Sequence, residues 1–488
     1  MRLLEIINKV TVIDKINFCD FDIEEICDDS REVYKRCLFF AIKGNNTDGN
    51  KYIDEAVERG AVAVVTETPC LSSVCQIIVK DIKIAMAEMA SNFYKPKGKR
   101  VKVIGVVGTN GKTTTTFMLK SILTKAGYNT GVIGTLGAFY LKAEVAPELT
   151  TPNAIGFFEL LCNMANAGVE YAVVELSAHA IEQKRLGNLK FECLIFTNCT
   201  QDHLDYFKDF GVYEKTKMSV FNGKNCRFAV VNSDDLTGQK ILKENKVKIF
   251  TYGIYNPSDV FAINVNNDIK GVSFVINAFD DIDNFYYGSA GLFNVYNALA
   301  ASTCASVIGV STSDIKEGLK DIKCVPGRME FVENFNGANV IIDYAHTPDG
   351  LENLLKTVKE ITKGRVVLVF GCGGNRDKEK RPIMGEIAGK YADFTVITSD
   401  NPRYEEPYFI ISQIEKGLRK HSLSYITIQN RKMAIGYALT KLKSGDTLVV
   451  AGKGAEEYQE IMGIKSRFSD KEEIKDNIAK IKFGGELF

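Results

Sequence analysis

Short runs of consecutive apolar, mostly β-branched residues punctuate this chain, separated by stretches in which apolar residues recur at helical spacing. Runs of this kind, bounded by Gly, Asn, Asp, Ser and Thr, predict strands buried on both faces of parallel sheets. The helical stretches between them are the crossovers that parallel strands require. The expected strands are 37–42 and 61–65, then 101–107, 129–134 and 171–177, then 340–344, 365–370, 394–398, 425–428 and 447–451. Shorter strands are expected over 220–300. Helices are expected over 52–59, from 115 onward, from Pro152 to about 167, from Val212, and from Phe293. Because proline is at home in a first helical turn, Thr150 or Thr151 is the expected cap of the helix at Pro152. A basic Pro/Gly stretch at 94–100 and the segment Val325-Pro326-Gly327-Arg328 interrupt the alternation. They divide the chain into 1–97, 98–325 and 326–488. The fold class is α/β in three domains: a small α/β unit, a central phosphate-loop domain with a mostly parallel sheet, and a third α/β unit.

Composition changes this picture little. Lys+Arg and Asp+Glu both number 61, so formal charge is zero and broad nucleic-acid binding is not expected. Twelve cysteines lie at irregular spacings without Cys-x-x-Cys, which predicts free thiols in a reducing cytoplasm. The N-terminus does not read as a signal peptide, and no apolar run suits a membrane span. Three of the four histidines, His179, His203 and His346, sit in knots rich in carboxylates and hydroxyls.

The chemistry starts at the end of the 101–107 run. Gly108, Thr109, Asn110, Gly111, Lys112, Thr113 and Thr114 join a buried strand to a helix. That is the layout of a phosphate-binding loop, although the glycine expected at position 106 is valine. Backbone N–H groups and the helix N-terminus attract phosphate, Lys112 can reach it, and a threonine hydroxyl can meet Mg2+. Glu175 ends another core strand and is a natural Mg2+ ligand; His203 could reach the same ion or its water. By residue type and spacing alone, Lys217 reads as a surface lysine. Gly371-Cys372-Gly373-Gly374-Asn375-Arg376 fails as a dinucleotide fingerprint, because Arg376 occupies the third glycine position. Asp400-Asn401-Pro402-Arg403 and Gly452-Lys453-Gly454-Ala455-Glu456 are polar clusters at strand ends that packing does not account for.

Taken in order, the loop 108–114, Thr150-Thr151-Pro152, Glu175-Leu176-Ser177-Ala178-His179, the knot 197–205, Phe293-Asn294, 326–330, 343–348 and 400–403 resemble the Mur ligases of peptidoglycan synthesis. The likeness spans all three domains and implies a UDP-binding N-terminal domain, a central ATPase domain and a C-terminal Rossmann-like amino-acid domain. It departs from the family pattern at Ala178, Gln201 and Ala455. It implies a cytoplasmic, monomeric, ATP-dependent amide ligase that adds meso-diaminopimelate to the D-Glu γ-carboxylate of UDP-MurNAc-L-Ala-D-Glu through an acyl phosphate, with Mg2+. By position, Ser30, Asn45, Asn46 and Thr47 would hold the UDP-sugar. Thr150, Thr151, Ser177, Gln183 and Arg185 would hold the muramoyl-peptide. Asn294, Arg328, Asp343 and His346 would line the nucleotide, and Lys112, Glu175 and His203 would serve catalysis. A carbamylated Lys217 would join Thr113, Glu175 and His203 at the metal. Arg376, Asp400, Asn401, Pro402, Arg403, Gly452 and Glu456 would form the diaminopimelate pocket, with Arg403 on the distal carboxylate and Glu456 suited to an ammonium. A lysine-adding relative, a folylpolyglutamate synthetase and a phosphate-loop switch module are the competing expectations.

Overall fold

The computed structural model describes residues 1–44, 47–223, 225–244, 247–279 and 281–483; Asn45 and Asn46 of the expected UDP-sugar loop lie outside them. Three large sheets and the two-stranded hairpin Tyr458–Ile461/Ile464–Arg467 organise the described residues. The first has five strands in the order Val12–Ile16, Cys75–Val79, Ala61–Thr66, Cys37–Phe40, Glu25–Cys27, with only the outermost pair antiparallel. The central sheet has eleven strands. Its parallel heart runs Thr130–Gly134, Tyr171–Leu176, Lys102–Val107, Phe191–Phe196, Cys226–Asn232, Lys248–Gly253, and antiparallel hairpins extend it at both ends. The third has six strands in the order Glu330–Phe335, Ala338–Asp343, Thr447–Ala451, Val366–Phe370, Phe394–Ile397, Tyr425–Thr427, all parallel except the first.

The strand Lys102–Val107 illustrates why unbroken apolar runs settle here. Val103 and Val107 enter one apolar core, whereas Ile104 and Val106 enter the core on the opposite face. Each such side chain, fully buried, contributes about 1.5–3 kcal/mol. The first of these cores continues into the N-terminal unit, where the helix Ile82–Phe93 packs on Ala154–Asn166. That helix begins at Ala154, two residues later than expected. Its cap is Asn153, whose Oδ1 accepts the Gly156 N–H at 2.9 Å, not a threonine. The Thr151 hydroxyl is instead donated to the Glu175 carbonyl at 2.7 Å, across to the neighbouring strand end.

Because the central strands run parallel, those ending at Val107, Leu176 and Phe196 deliver their following loops to one edge of the sheet. Such an edge is where ligands bind in open α/β sheets. The third domain sits against this edge, so the site lies between two sheets. All twelve cysteines are free. Among the described residues no helix is long and apolar enough to cross a membrane.

Candidate functional site

Gly108 and Gly111 are the positions the phosphate loop cannot vary. A Cβ on Gly108 would stand 1.8 Å from Thr197 Oγ1, and Gly111 caps the helix Lys112–Lys125 at φ 84°, in the left-handed region. The loop is braced by the knot that follows Phe196. Asn110 N–H donates to Asn198 Oδ1 at 2.9 Å, and Thr197 Oγ1 donates to the Asn110 carbonyl at 2.7 Å. Lys112 Nζ curls back onto the carbonyls of Gly108 and Thr109, both at 2.9 Å. Burial pushes its pKa down, against the pull of Glu175 and Asp202. Thr113 and Thr114 are both buried at the helix start.

Glu175 is fully buried and its carboxylate is held by three donors. Thr135 N–H reaches Oε1 at 3.0 Å, while the hydroxyls of Thr135 and Thr113 reach Oε2 at 3.1 and 3.0 Å. Lys217 is not a surface lysine. It is 1% exposed on the helix Phe210–Met218, donates to Thr109 Oγ1 at 2.6 Å and lies 4.0 Å from the Tyr213 ring centre. Tyr213 and Lys217 are one turn apart and face inward together, which residue type alone does not reveal. Burial lowers the Lys217 pKa to about 7. His203 sits at φ 56°, its backbone N–H on Asp202 Oδ1 at 2.9 Å. Burial lowers its pKa to about 3 and that of His346 to about 4, so both imidazoles are neutral near pH 7. With both neutral, the cation facing Asp202 is Lys380, 3.9 Å away.

A hydroxyl, a carboxylate and a neutral imidazole on one sheet edge suit a hard divalent cation that keeps water and phosphate oxygens as its other ligands. Among the described residues no three His, Cys, Asp or Glu side chains gather into a metal cluster. The chemistry of these donors fits Mg2+ that takes its other ligands from water and nucleotide.

The residues expected at the muramoyl-peptide lie alongside. Thr150 and Thr135 share a hydroxyl contact at 3.2 Å, and Thr151 Oγ1 accepts the Ser177 N–H at 3.0 Å. Arg185 donates to the Thr151 carbonyl at 2.6 Å and to Gln183 Oε1 at 2.7 Å. In the first domain, Ser30 donates to Glu55 at 3.0 Å within a short 3-10 turn capped by Asp29. Thr47 is exposed, and its carbonyl accepts the Gly44 N–H.

The third domain closes over the loop. Asn110 Nδ2 donates to Asp349 Oδ2 at 2.8 Å, and Arg328 Nη2 to Thr113 Oγ1 at 3.0 Å, with the Arg328 guanidinium over the Tyr344 ring. Asp343 accepts the N–H groups of Met329 and Ala345, and burial raises its pKa. His346 Nδ1 lies 2.9 Å from the Tyr344 carbonyl and its Nε2 3.8 Å from Asp202. Asn294 is buried beneath the loop. It bonds the Ala290 carbonyl and accepts from Asn297, whose own Oδ1 would lie 2.3 Å from a Cβ on Gly111.

Arg376, Asp400, Asn401, Pro402, Arg403, Gly452 and Glu456 come together at the strand ends of the third sheet. Arg376 reaches to 3.9 Å from Asp205 of the central domain. Asp400 Oδ2 would lie 2.7 Å from a Cβ on Gly452, so glycine is needed there. The Pro402 carbonyl packs so closely on Gly374 that a Cβ there would come within 1.9 Å. Arg403 is 19% exposed and does not point into solvent; Nη1 donates to the Gly374 carbonyl at 2.9 Å and Nε lies 3.2 Å from Glu460. Arg403 and Glu456 each already have a neighbour of opposite charge. Arg403 already has a carboxylate neighbour in Glu460, so a ligand without a distal acid would not leave it without an anion. Glu456 is not an unengaged carboxylate, since its Oε2 accepts from Lys453 at 2.9 Å and Asn401 at 3.0 Å.

Thr135, Asp349, Lys380, Arg381, Lys453 and Glu460 were not assigned from sequence. Lys380 and Arg381 end the run Asn375-Arg376-Asp377-Lys378-Glu379-Lys380-Arg381, which looks like solvated charge until burial is known. Lys453 lies inside a cluster that stood out, and only its burial marks it.

Comparison with known proteins fits this geometry. The chain matches the Mur ligase family, catalytic domain over residues 22–106, the Mur ligase middle domain over 106–305, and the Mur ligase, glutamate ligase domain over 327–454. It is 41% identical to the UDP-N-acetylmuramoyl-L-alanyl-D-glutamate–2,6-diaminopimelate ligase of Caldanaerobacter subterraneus subsp. tengcongensis, over 98% of this chain and 99% of the relative. It is 41% identical to the enzyme of the same name from Clostridium tetani, over 99% and 100%. A solved structure of a UDP-N-acetylmuramoyl-L-alanyl-D-glutamate–2,6-diaminopimelate ligase superposes with a TM-score of 0.68 at 30% identity, covering 94% of this chain and 95% of the other.

Proposed function

The chain belongs to the Mur ligase family, and from that premise we propose that it is the ATP-dependent ligase joining 2,6-diaminopimelate, as the meso isomer, to the D-Glu γ-carboxylate of UDP-MurNAc-L-Ala-D-Glu. On this reading it works in the cytoplasm as a monomer. Residues 1–97 hold the UDP-sugar through Ser30 and Thr47. Residues 98–325 hold ATP and the peptide carboxylate. Residues 326–488 bring the amino acid.

The γ-carboxylate attacks the terminal phosphorus of ATP, and ADP leaves. The amine of diaminopimelate then attacks the acyl phosphate; its C–N bond forms as phosphate departs and a proton is lost. Such transfers depend on positioning and charge neutralisation more than on covalent help. Residues 108–114 cradle phosphate with backbone N–H groups, and Lys112 turns its ammonium from the loop carbonyls to the transferring phosphoryl. Arg328 adds charge from the third domain, where Asp343, His346 and the buried Asn294 frame the nucleotide. Arg185, Thr150, Thr151, Ser177 and Gln183 orient the peptide. Thr113, Glu175 and His203 would hold Mg2+, which supplies charge neutralisation for the phosphates. A lysine with a pKa near 7 is partly a free amine at neutral pH, able to add to CO2 and release a proton. The resulting carbamate on Lys217 would give the ion an oxygen ligand that an ammonium cannot.

The observation that carries the substrate assignment is Arg403, a guanidinium in the cleft wall whose fork suits a distal carboxylate. With Glu460 already beside it, selectivity comes from bonds gained with diaminopimelate rather than from an unpaired charge left by lysine. Two charge-assisted bonds at about 1.5–3 kcal/mol each make Arg403→Ala cost about a hundredfold or more in kcat/KM for diaminopimelate. The KM for ATP should stay close to wild type. The assay is phosphate release with UDP-MurNAc-L-Ala-D-Glu, comparing meso-diaminopimelate with L-lysine. Equal loss of both parameters, or equal use of the two amino acids by wild type, would sink the assignment.

A further inference from the structure

Arg403 lies on a loop whose backbone pairs with the hairpin Tyr458–Ile461/Ile464–Arg467: its N–H donates to the Glu460 carbonyl at 3.1 Å and its carbonyl accepts the Met462 N–H at 2.8 Å. Residues 371–376 follow the strand Val366–Phe370, and residues 399–406 follow Phe394–Ile397. The two loops are laced together: Gly374 N–H donates to the Asn401 carbonyl at 2.8 Å, Tyr404 N–H to Asn375 Oδ1 at 3.0 Å, and Arg403 Nη1 to the Gly374 carbonyl at 2.9 Å. Arg403 and Asn375 hold φ of 51° and 52°, left-handed backbone without glycine. Conformations of this kind persist only where the surroundings over-determine them.

The side-chain fastening between the two loops is Arg381, on the helix Lys380–Tyr391 and 0% exposed. Its Nη1 donates to Glu405 Oε2 at 2.9 Å and Gln413 Oε1 at 2.8 Å; its Nη2 donates to Glu405 Oε1 at 2.9 Å and the Gly373 carbonyl at 3.1 Å. Glu405 Oε1 also accepts the Asn375 N–H at 2.5 Å. The guanidinium therefore touches one loop directly, grips the other through Glu405, and Glu405 returns to the first. Hydrogen bonds from Arg381 hold the Glu405 carboxyl down at about 2. A buried ion pair is a poor source of stability against apolar packing of the same volume. What the fork supplies that an apolar side chain cannot is a fixed spacing between two loops.

We infer that Arg381 is a positioning residue: its ion pair with the half-buried Glu405 fixes the spacing of the loops that carry Arg376 and Arg403, and thereby sets affinity and selectivity for the distal carboxylate of the incoming amino acid. Arg381 touches no substrate and acts through Arg403. The inference rests on the substrate reading proposed above.

The test uses the full-length enzyme with Arg381→Lys, which keeps the charge but loses the fork, and Glu405→Gln, which keeps the shape but loses the charge. Each is made alone and together with Arg403→Ala. In the single variants KM for meso-diaminopimelate should rise about tenfold, the order expected when the support of a binding group is lost. The preference over L-lysine should shrink with it, while KM for ATP and for the UDP-linked dipeptide stays within about twofold. With Arg403 already alanine, the same changes should cost nothing further in kcat/KM for diaminopimelate, because coupled residues are not additive. A uniform rise in all three KM values, an unchanged KM for diaminopimelate, or an additive double mutant overturns the inference while leaving the substrate reading intact. A wild-type enzyme that does not use diaminopimelate removes both.

Discussion

A lysine amine sealed beneath the phosphate loop makes a pH-dependent demand on the fold. In the unfolded chain Lys217 keeps its proton to about pH 10.4; in the folded protein burial brings its pKa to about 7. Between these values the unfolded state binds more protons, so this group's contribution to stability rises with pH across that window. Below pH 7 both states carry the charge and the full cost of burying it is present. Lys217→Met removes the cost. In bicarbonate-free buffer its melting temperature should exceed that of wild type by a few degrees at pH 6, and the gap should narrow steadily towards pH 9. Thermal scans at four pH values check this, and a gap that does not change with pH would show that the amine does not titrate in the folded protein. Turnover should be lost in this variant at every pH, because the methionine can supply neither an amine nor a carbamate.

Among the helices, Arg431–Thr440 and the C-terminal Asp470–Phe483 are joined by one buried pair. Arg431 Nε and Nη2 reach the two Asp470 oxygens at 2.7 Å each, both side chains are 0% exposed, and Nη2 also caps the Ala451 carbonyl at the end of its strand. Asp470→Ala leaves a buried guanidinium without its anion and should cost about 3–5 kcal/mol, whereas Arg431→Met with Asp470→Leu should come close to neutral. Urea midpoints followed by circular dichroism distinguish the two; equal losses would mean that the pair is ordinary packing. This pair also marks what a sequence can convey. The strands Lys102–Val107, Tyr171–Leu176, Val366–Phe370 and Thr447–Ala451 are legible because a run buried on both faces is apolar throughout. The glycine loop is legible because only glycine tolerates its geometry. The strand Val12–Ile16 and the hairpin Tyr458–Ile461/Ile464–Arg467 are not, since exposed edges leave no apolar rhythm. Arg381, Arg431 and Lys217 are written with the same letters as solvated charges, and only the partners that long-range folding brings to them distinguish the two.

On the proposed reading the molecule works only when its central and C-terminal domains meet, because one would hold the phosphoryl donor and the other would select the amine. Their meeting combines apolar packing of Ala290, Ile269 and Phe293 against the core of the third domain with a set of polar contacts. Asn110 to Asp349 and Arg328 to Thr113 are direct bonds, and Gln201 reaches Asp377 at 3.4 Å. Longer contacts join Lys380 to Asp202 and Arg376 to Asp205. Interfaces of this sort within one chain open and close, and each polar bond contributes only about 1 kcal/mol. Asp349 is the cleanest place to test the balance. It lies in the first turn of the helix Pro348–Ile361, whose cap is Thr347, so replacing it spares the cap. Asp349→Ala removes one cross-domain bond made by the phosphate loop itself. A loss of about 1 kcal/mol from the closed state lowers its share relative to the open one about fivefold. If closure assembles the site, kcat/KM for diaminopimelate should fall by that factor, and the radius of gyration from solution X-ray scattering should increase. Saturating nucleotide and UDP-linked dipeptide should restore the compact value, because ligands that bind across the cleft favour the closed form. A variant that scatters and turns over as wild type does would mean that the domains are held together by the remaining contacts, and that the bond between Asn110 and Asp349 follows closure rather than stabilising it.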